Sequence, residues 1–247
     1  MTAPLLIETK GEITTLTLNR PSKRNALSRD MLATLRAAFA SASDGKSHAM
    51  ILTGSGGCFS AGADMGELDG TTRDAEFDQV LSDVAGAIQD GPFIAIAAIE
   101  GYCIGAGLDL ACACDVRIVA TDAVFELPAL RLGLLYNPTA VARMHRLLPG
   151  ATMRRLLLLG ERIEGRDAGA AGIATQIVEP QTTGKVSNKL AQRCIASPRA
   201  LTETKRLLAA LEQGNANIAK WSAVQKELLG SPERQAALAS AKTRLRK

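Results

Sequence analysis

The chain has 247 residues, 47% of them apolar and only 3% aromatic, with a formal net charge of +4. That length holds one large domain or a domain with a helical appendage, its core built from Leu, Ile, Val and Ala. The mild positive excess is spread along the chain and is heaviest at Lys242, Arg244, Arg246 and Lys247. It is not a basic arm, and it fits an attraction for an anionic cofactor and an ordinary solvated surface equally well.

No apolar run is long enough to span a bilayer, and no basic segment followed by an apolar stretch opens the chain, so a cytoplasmic protein without membrane or nucleic-acid partners is expected. The odd set of cysteines, Cys58, Cys103, Cys112, Cys114 and Cys194, reads as buried free thiols in a reducing compartment. Cys112-x-Cys114 is too tight for the usual zinc spacing and has no histidine near it, so no metal site is expected.

In chain order, Ile13–Leu18 alternates apolar residues with threonine, as a half-buried strand does. Asn19, Pro21 and Asn25 make a turn, and Ser28 caps a helix whose Met31, Leu32, Leu35, Ala38 and Phe39 share one face. A strand over His48–Thr53 stops at Gly54-Ser55-Gly56-Gly57. Phe77, Val80, Leu81, Val84 and Ile88 follow helical spacing, and Phe93–Ile99 is a continuous apolar strand. Gly101–Gly107 is a glycine-rich turn opening an apolar helix, followed by a strand over Val116–Ala120. Buried strands alternating with helices predict an α/β fold with parallel pairing. After Val178-Glu179-Pro180 only helical patterns remain, broken at Pro198, Gly214 and Pro232, so a core over 1–184 and a helical region over 185–247 are expected.

Two turns carry the candidate chemistry. Gly54–Asp64 and Gly101–Leu110 each follow a strand and lead into a helix, and their small residues let backbone amides approach a ligand. Side by side, such turns point two N–H groups at one oxygen, the geometry of an oxyanion hole. A dinucleotide fingerprint is excluded because its third glycine falls on Leu110. The only histidines, His48 and His145, adjoin no nucleophile motif, which argues against a Ser-His-Asp hydrolase.

Asn25-Ala26-Leu27, Phe59-Ser60-Ala61-Gly62-Ala63-Asp64 and Gly101 to Cys114-Asp115 together resemble the enoyl-CoA hydratase/isomerase (crotonase) superfamily. The likeness continues through Phe125, Pro128, Leu132-Gly133, Gly160-Glu161, Ala171-Gly172-Ile173 and Val178. The resemblance implies a crotonase-like spiral of ββα repeats, a C-terminal helical trimerisation region and a homotrimer or dimer of trimers. It implies a coenzyme A thioester as substrate, with no tightly bound cofactor. The N–H groups of Ala63 and Ala106 would hold the thioester oxygen. Arg24, Ala26, Leu27, Ala61, Asp64, Met65 and Gly105 would line the coenzyme A site, with Lys23 or Arg24 near its phosphates, and residues 65–85 and 125–145 would shape the acyl pocket.

The two glutamates that a hydratase of this kind uses fall at Asp109 and Ala129, so Asp109 is the expected general acid/base and Ala129 moves no proton. The dienoyl-CoA isomerase branch also places an aspartate at Asp109, but its other carboxylates fall at Ala129 and Asn137. Glu126 is a possible substitute, read first as a solvated or salt-bridged loop residue. Leu132-Gly133-Leu134-Leu135-Tyr136-Asn137 resembles the methylmalonyl-CoA decarboxylase branch and marks Tyr136 as a substrate contact, although that branch has a histidine at Ala63. Relatives carry a Phe and a Lys near the C-terminus, at Ala241 and Arg244 here. The expected activity is therefore an enoyl-CoA isomerase or atypical hydratase, with an acyl-CoA decarboxylase and a non-catalytic acyl-CoA-binding protein as alternatives.

Overall fold

The computed structural model describes residues 3–42, 47–193 and 197–245, with side chains through residue 243. Cys194, Arg246, Lys247 and the side chain of Arg244 lie outside the described residues. Contacts divide the chain into two units, 1–195 and 196–247.

The first unit opens with an antiparallel pair, β1 (Leu5–Lys10) and β2 (Ile13–Leu18). From β2 onward the main sheet is parallel: β3 (Ala49–Gly54), β4 (Ile94–Ile99), β6 (Val116–Ala120) and β9 (Gln176–Val178) pair in that order. A second sheet is made of β5 (Tyr102–Ile104), β7 (Val124–Glu126) and β8 (Ile163–Glu164). The chain interleaves them, leaving β4 for β5, returning through α3 (Ala106–Ala113) to β6 and leaving again for β7. That alternation is the expected spiral.

Both faces of the main sheet are covered. Ala49, Ile51, Ile96, Ala98 and Ile118 meet α6 (Thr183–Ala191) on one face. Met50, Leu52, Ala95, Ala97 and Ile99 join the larger core beneath α1 (Arg29–Ser41) and α2 (Ala75–Asp90) on the other. Period-two side chains with no wet face are why these strands read as near-continuous apolar runs. Helix α1 starts where Ser28 Oγ accepts from Met31 N at 3.2 Å, and the five residues expected to share its apolar face are its buried ones. Phe39 of α1 stacks on Phe93 with centroids 5.8 Å apart. Helices α4 (Pro138–Leu147) and α5 (Gly150–Leu157) follow β7.

The second unit holds α7 (Pro198–Glu212), α8 (Ile218–Leu229) and α9 (Pro232–Leu245), with Pro198 and Pro232 opening helices, as proline tolerates. Ser197 Oγ, Asn217 Oδ1 and Ser231 Oγ accept from backbone N–H groups three residues on. Helix α6 packs on β3, β4 and β6, within the first unit. Cys58, Cys103, Cys112 and Cys114 are buried and unbridged, and burial pushes the Cys112 thiol to about 12. Among the described residues no helix is long and apolar enough to cross a membrane, and no group of His, Cys, Asp and Glu is arranged to hold a metal ion.

Candidate functional site

The two glycine-rich turns lie side by side. Ser60 N donates to Tyr102 O at 2.8 Å and Ile104 N donates to Ser60 O at 3.0 Å, pairing Ser60 with Cys103 in parallel. Ala63 and Ala106, three residues beyond this bridge on each turn, line the same cavity. Leu27 donates to Gly62 O at 2.7 Å and accepts from Asp64 N at 2.9 Å, which turns the N–H of Ala63 away from Leu27. Ala106 is the first residue of α3, where N–H groups have no acceptor within the helix and the dipole is positive. Among the described residues neither N–H has a hydrogen-bond partner.

Glycine permits this approach at two points. Gly62 has φ +94°, and a β-carbon there would lie 2.9 Å from Ile104 O and 3.6 Å from Ala106 N. A β-carbon on Gly107 would lie 2.8 Å from Ser60 Cβ. The turn before Ala63 is pinned by Asn25, whose amide donates to Ser55 O at 2.9 Å and Cys58 O at 2.6 Å and accepts from Arg20 N at 2.9 Å. Ser60 Oγ donates to Asn25 O at 2.9 Å and accepts from Gly62 N at 3.1 Å.

Ala63 and Ala106 line a cavity of about 180 Å³, together with Ala61, Met65, Gly105 and Tyr136 from the expected set. The β-carbon of Ala106 fits on its wall. Phe77, Asp78 and Leu81 of α2 and Ala129, Leu132 and Leu134 are also on its wall. The size lies below the roughly 300–1,000 Å³ of sites for drug-sized ligands. Ala26 and Leu27 are buried and off the wall. Asp64 also lies off the wall: Arg20 at 2.7 Å and Lys23 at 3.1 Å hold its carboxylate, and Gly66 N donates to it at 3.1 Å. The Arg20 hydrogen bond, with smaller help from Lys23 and Gly66 N, brings its pKa to about 2 against the cost of burial. Arg24 lies 5.1 Å from the centre of the Tyr102 ring.

Asp109, the expected acid/base, is held in a buried ion pair. Its side chain is 0% exposed, and Arg143 of α4 grips it: Nη2 donates to Oδ1 at 2.8 Å and to Oδ2 at 2.9 Å, and Nε donates to Oδ1 at 3.0 Å. It does not line the cavity. A carboxylate on a wholly buried helix must be paired or neutralised, and α4 supplies the pair. Burial pushes its acid upward and Arg143 opposes that push. Glu126, 3% exposed, is held by Arg131 and by Arg162 at 2.8 Å, which fits the salt-bridged reading. Sequence reasoning passed over Arg143 and Asp78; the one available signal was that 65–85 and 125–145 would form the acyl pocket.

Interleaved sheets joined through paired glycine-rich turns, the second opening a buried helix, define a protein of the crotonase superfamily. Residues 8–241 match the family described as enoyl-CoA hydratase/isomerase. A probable enoyl-CoA hydratase of Mycobacterium bovis is 34% identical over 79% of this chain and 78% of its own. The 2,3-dehydroadipyl-CoA hydratase of Escherichia coli is 31% identical over 83% and 81%. The crystal structure of an enoyl-CoA hydratase/carnithine racemase from Magnetospirillum magneticum superposes with a TM-score of 0.91 at 28% identity, covering 99% of this chain and 94% of that one. The chain belongs to the enoyl-CoA hydratase/isomerase family.

Proposed function

We propose that the chain is an enzyme acting on an acyl-CoA through a thioester enolate, as an enoyl-CoA isomerase or atypical hydratase of fatty acid or carboxylic acid metabolism. The observation that carries this reading is the pair of unpartnered N–H groups, Ala63 and Ala106, on the wall of one small, largely apolar cavity. Two such donors, each contributing about 3 kcal/mol toward a developing oxyanion, acidify the α-carbon of a bound thioester. Tyr136 supports a substrate contact, because its buried hydroxyl on the cavity wall lacks a partner among the described residues. Arg24, Ala26, Leu27, Ala61, Asp64, Met65 and Gly105 are proposed to frame the coenzyme A thioester, Asp64 by holding Arg20 and Lys23 in place. The assembly is proposed to be a homotrimer or a dimer of trimers. No tightly bound cofactor enters this chemistry.

The burial of Asp109 behind Arg143 favours one second reading, a non-catalytic acyl-CoA binder. Incubation with enoyl-, dienoyl- and malonyl-type CoA esters in D₂O, followed by mass spectrometry, separates the two. Deuterium uptake alone is expected of an isomerase, gain of water of a hydratase, and loss of CO₂ of a decarboxylase. Esters that bind with no change in mass leave the binder.

A further inference from the structure

Enolate chemistry needs one carboxylate on the cavity wall that is free to take a proton. Asp109 is sealed by Arg143, Glu126 is held by Arg131 and Arg162, and Asp64 is turned to Arg20 and Lys23. Two carboxylates remain on the wall, Asp74 and Asp78. Asp74 accepts from Asp69 N and Gly70 N, each at 3.0 Å, and so fastens the loop before α2. The Asp78 carboxylate, half-buried one turn further along, has no hydrogen-bond or ion-pair partner among the described residues. It sits between Phe77 and Leu81, which also line the cavity, and its backbone oxygen accepts from Asn137 Nδ2 at 3.3 Å, tying this turn of α2 to the segment that carries Tyr136. Burial, with the Asp74 charge adding to it, raises the pKa of Asp78 above that of a solvated carboxylate, the direction that makes a better base. Tyr136, whose orphaned hydroxyl feels the Asp109 charge and, less strongly, that of Asp78, lies on the same wall.

We propose that Asp78 of α2, and not Asp109, is the catalytic residue that moves the proton in this site. The inference rests on the enolate reading above. For a 3-enoyl thioester, the Asp78 carboxylate takes a proton from the α-carbon. The C–H electron pair forms the α-carbon to carbonyl-carbon double bond, and the carbonyl pair moves to the oxygen facing Ala63 and Ala106. On return, the oxygen pair restores the carbonyl, the double bond shifts to the α,β position, and the γ-carbon takes the proton back from Asp78. Nothing is oxidised or reduced, and no co-reactant enters.

The test is deuterium exchange at the α-carbon of butyryl-CoA in D₂O, which needs the oxyanion donors and a base but no double bond. Dissociation constants for butyryl-CoA are measured alongside. The wild-type protein is expected to exchange. Asp78→Asn is expected to bind butyryl-CoA within a few-fold of wild type and to lose about 10²–10⁴-fold in exchange, with formate restoring part of the rate in Asp78→Ala. Exchange that survives Asp78→Asn overturns the proposal, and its loss in Asp109→Asn alone would hand the proton to Asp109. A wild-type protein that binds butyryl-CoA without exchange overturns the enolate reading itself, and the role of Asp78 with it.

Discussion

Asp64 places its carboxylate between Arg20 and Lys23, and the consequence is a dependence of stability on acid. Its pKa is about 2 in the folded protein, against about 3.9 in an unfolded chain. A group lowered in this way stabilises the fold above pH ~4 and loses that contribution as pH falls from about 4 toward 2. Asp64→Asn keeps an oxygen for Gly66 N but loses the charge. Discounted for the exposed side chain of Lys23, the variant is expected to be about 1 kcal/mol less stable at pH 7. Urea titrations at pH 7 and pH 2.5 check it: the gap between wild type and variant should shrink in acid, and a constant gap would mean that Asp64 contributes through packing alone. At this scale the sequence is most legible in its glycine-rich turns. Ala63 and Ala106 were readable as proposed donors through the resemblance of those turns to the family pattern. The partner of Asp109 was not, because Arg143 stands 34 positions away, next to the exposed His145 and Arg146, in what reads as a helix surface. Asp78 escaped notice for the related reason that a carboxylate on an amphipathic helix ordinarily faces water.

Among elements, the close approach of the two turns is the feature most sensitive to a single carbon. Gly107→Ala puts a β-carbon 2.8 Å from Ser60 Cβ, where neither backbone has room to withdraw. A cost of about 1–3 kcal/mol is expected from overpacking, together with loss of turnover, because the wedge moves Ala106 N away from Ala63 N. The same change at Gly86 of α2 meets nothing within 4 Å and is expected to stabilise by about 0.4–1 kcal/mol through the unfolded chain. Thermal melts and α-carbon exchange rates of the pair separate a general intolerance of alanine from a local one: equal losses at both positions would count against the close-packed turns. Long elements were legible, with β2 and β6 falling on their expected bounds and α1 on its expected face. The second sheet was not, since β5 and β7 have three residues each and β8 two, too few to show a period. Their existence is decided by pairing across the chain, and Tyr102–Ile104 was read only as part of a turn.

For the whole molecule, each unit tells a different story about what closes it. The first has a continuous core of fully buried side chains. In the second, Ser231 is the only buried residue among those described, while Leu208 and Leu211 of α7 are 54% and 51% exposed. The breaks at Pro198 and Pro232 were visible, and the structure makes each the start of a helix, while the periodicity of α6 looks the same whether it packs on a sheet or on another helix. Covering a leucine that is already half-buried contributes about 1 kcal/mol, roughly half of the full burial value, and a surface with this much apolar area gains by meeting a second copy. The wild-type protein is expected to run in light scattering at three or six times the mass of one chain. Leu208→Asp combined with Leu211→Asp is expected to shift it toward a single chain, because the charges would have to be desolvated at the contact. Both positions are half-exposed, so the far-ultraviolet circular dichroism of the variant should stay close to that of wild type. A wild-type protein that remains a single chain at micromolar concentration would mean that this helical surface is covered in another way and that the trimer is not its reason.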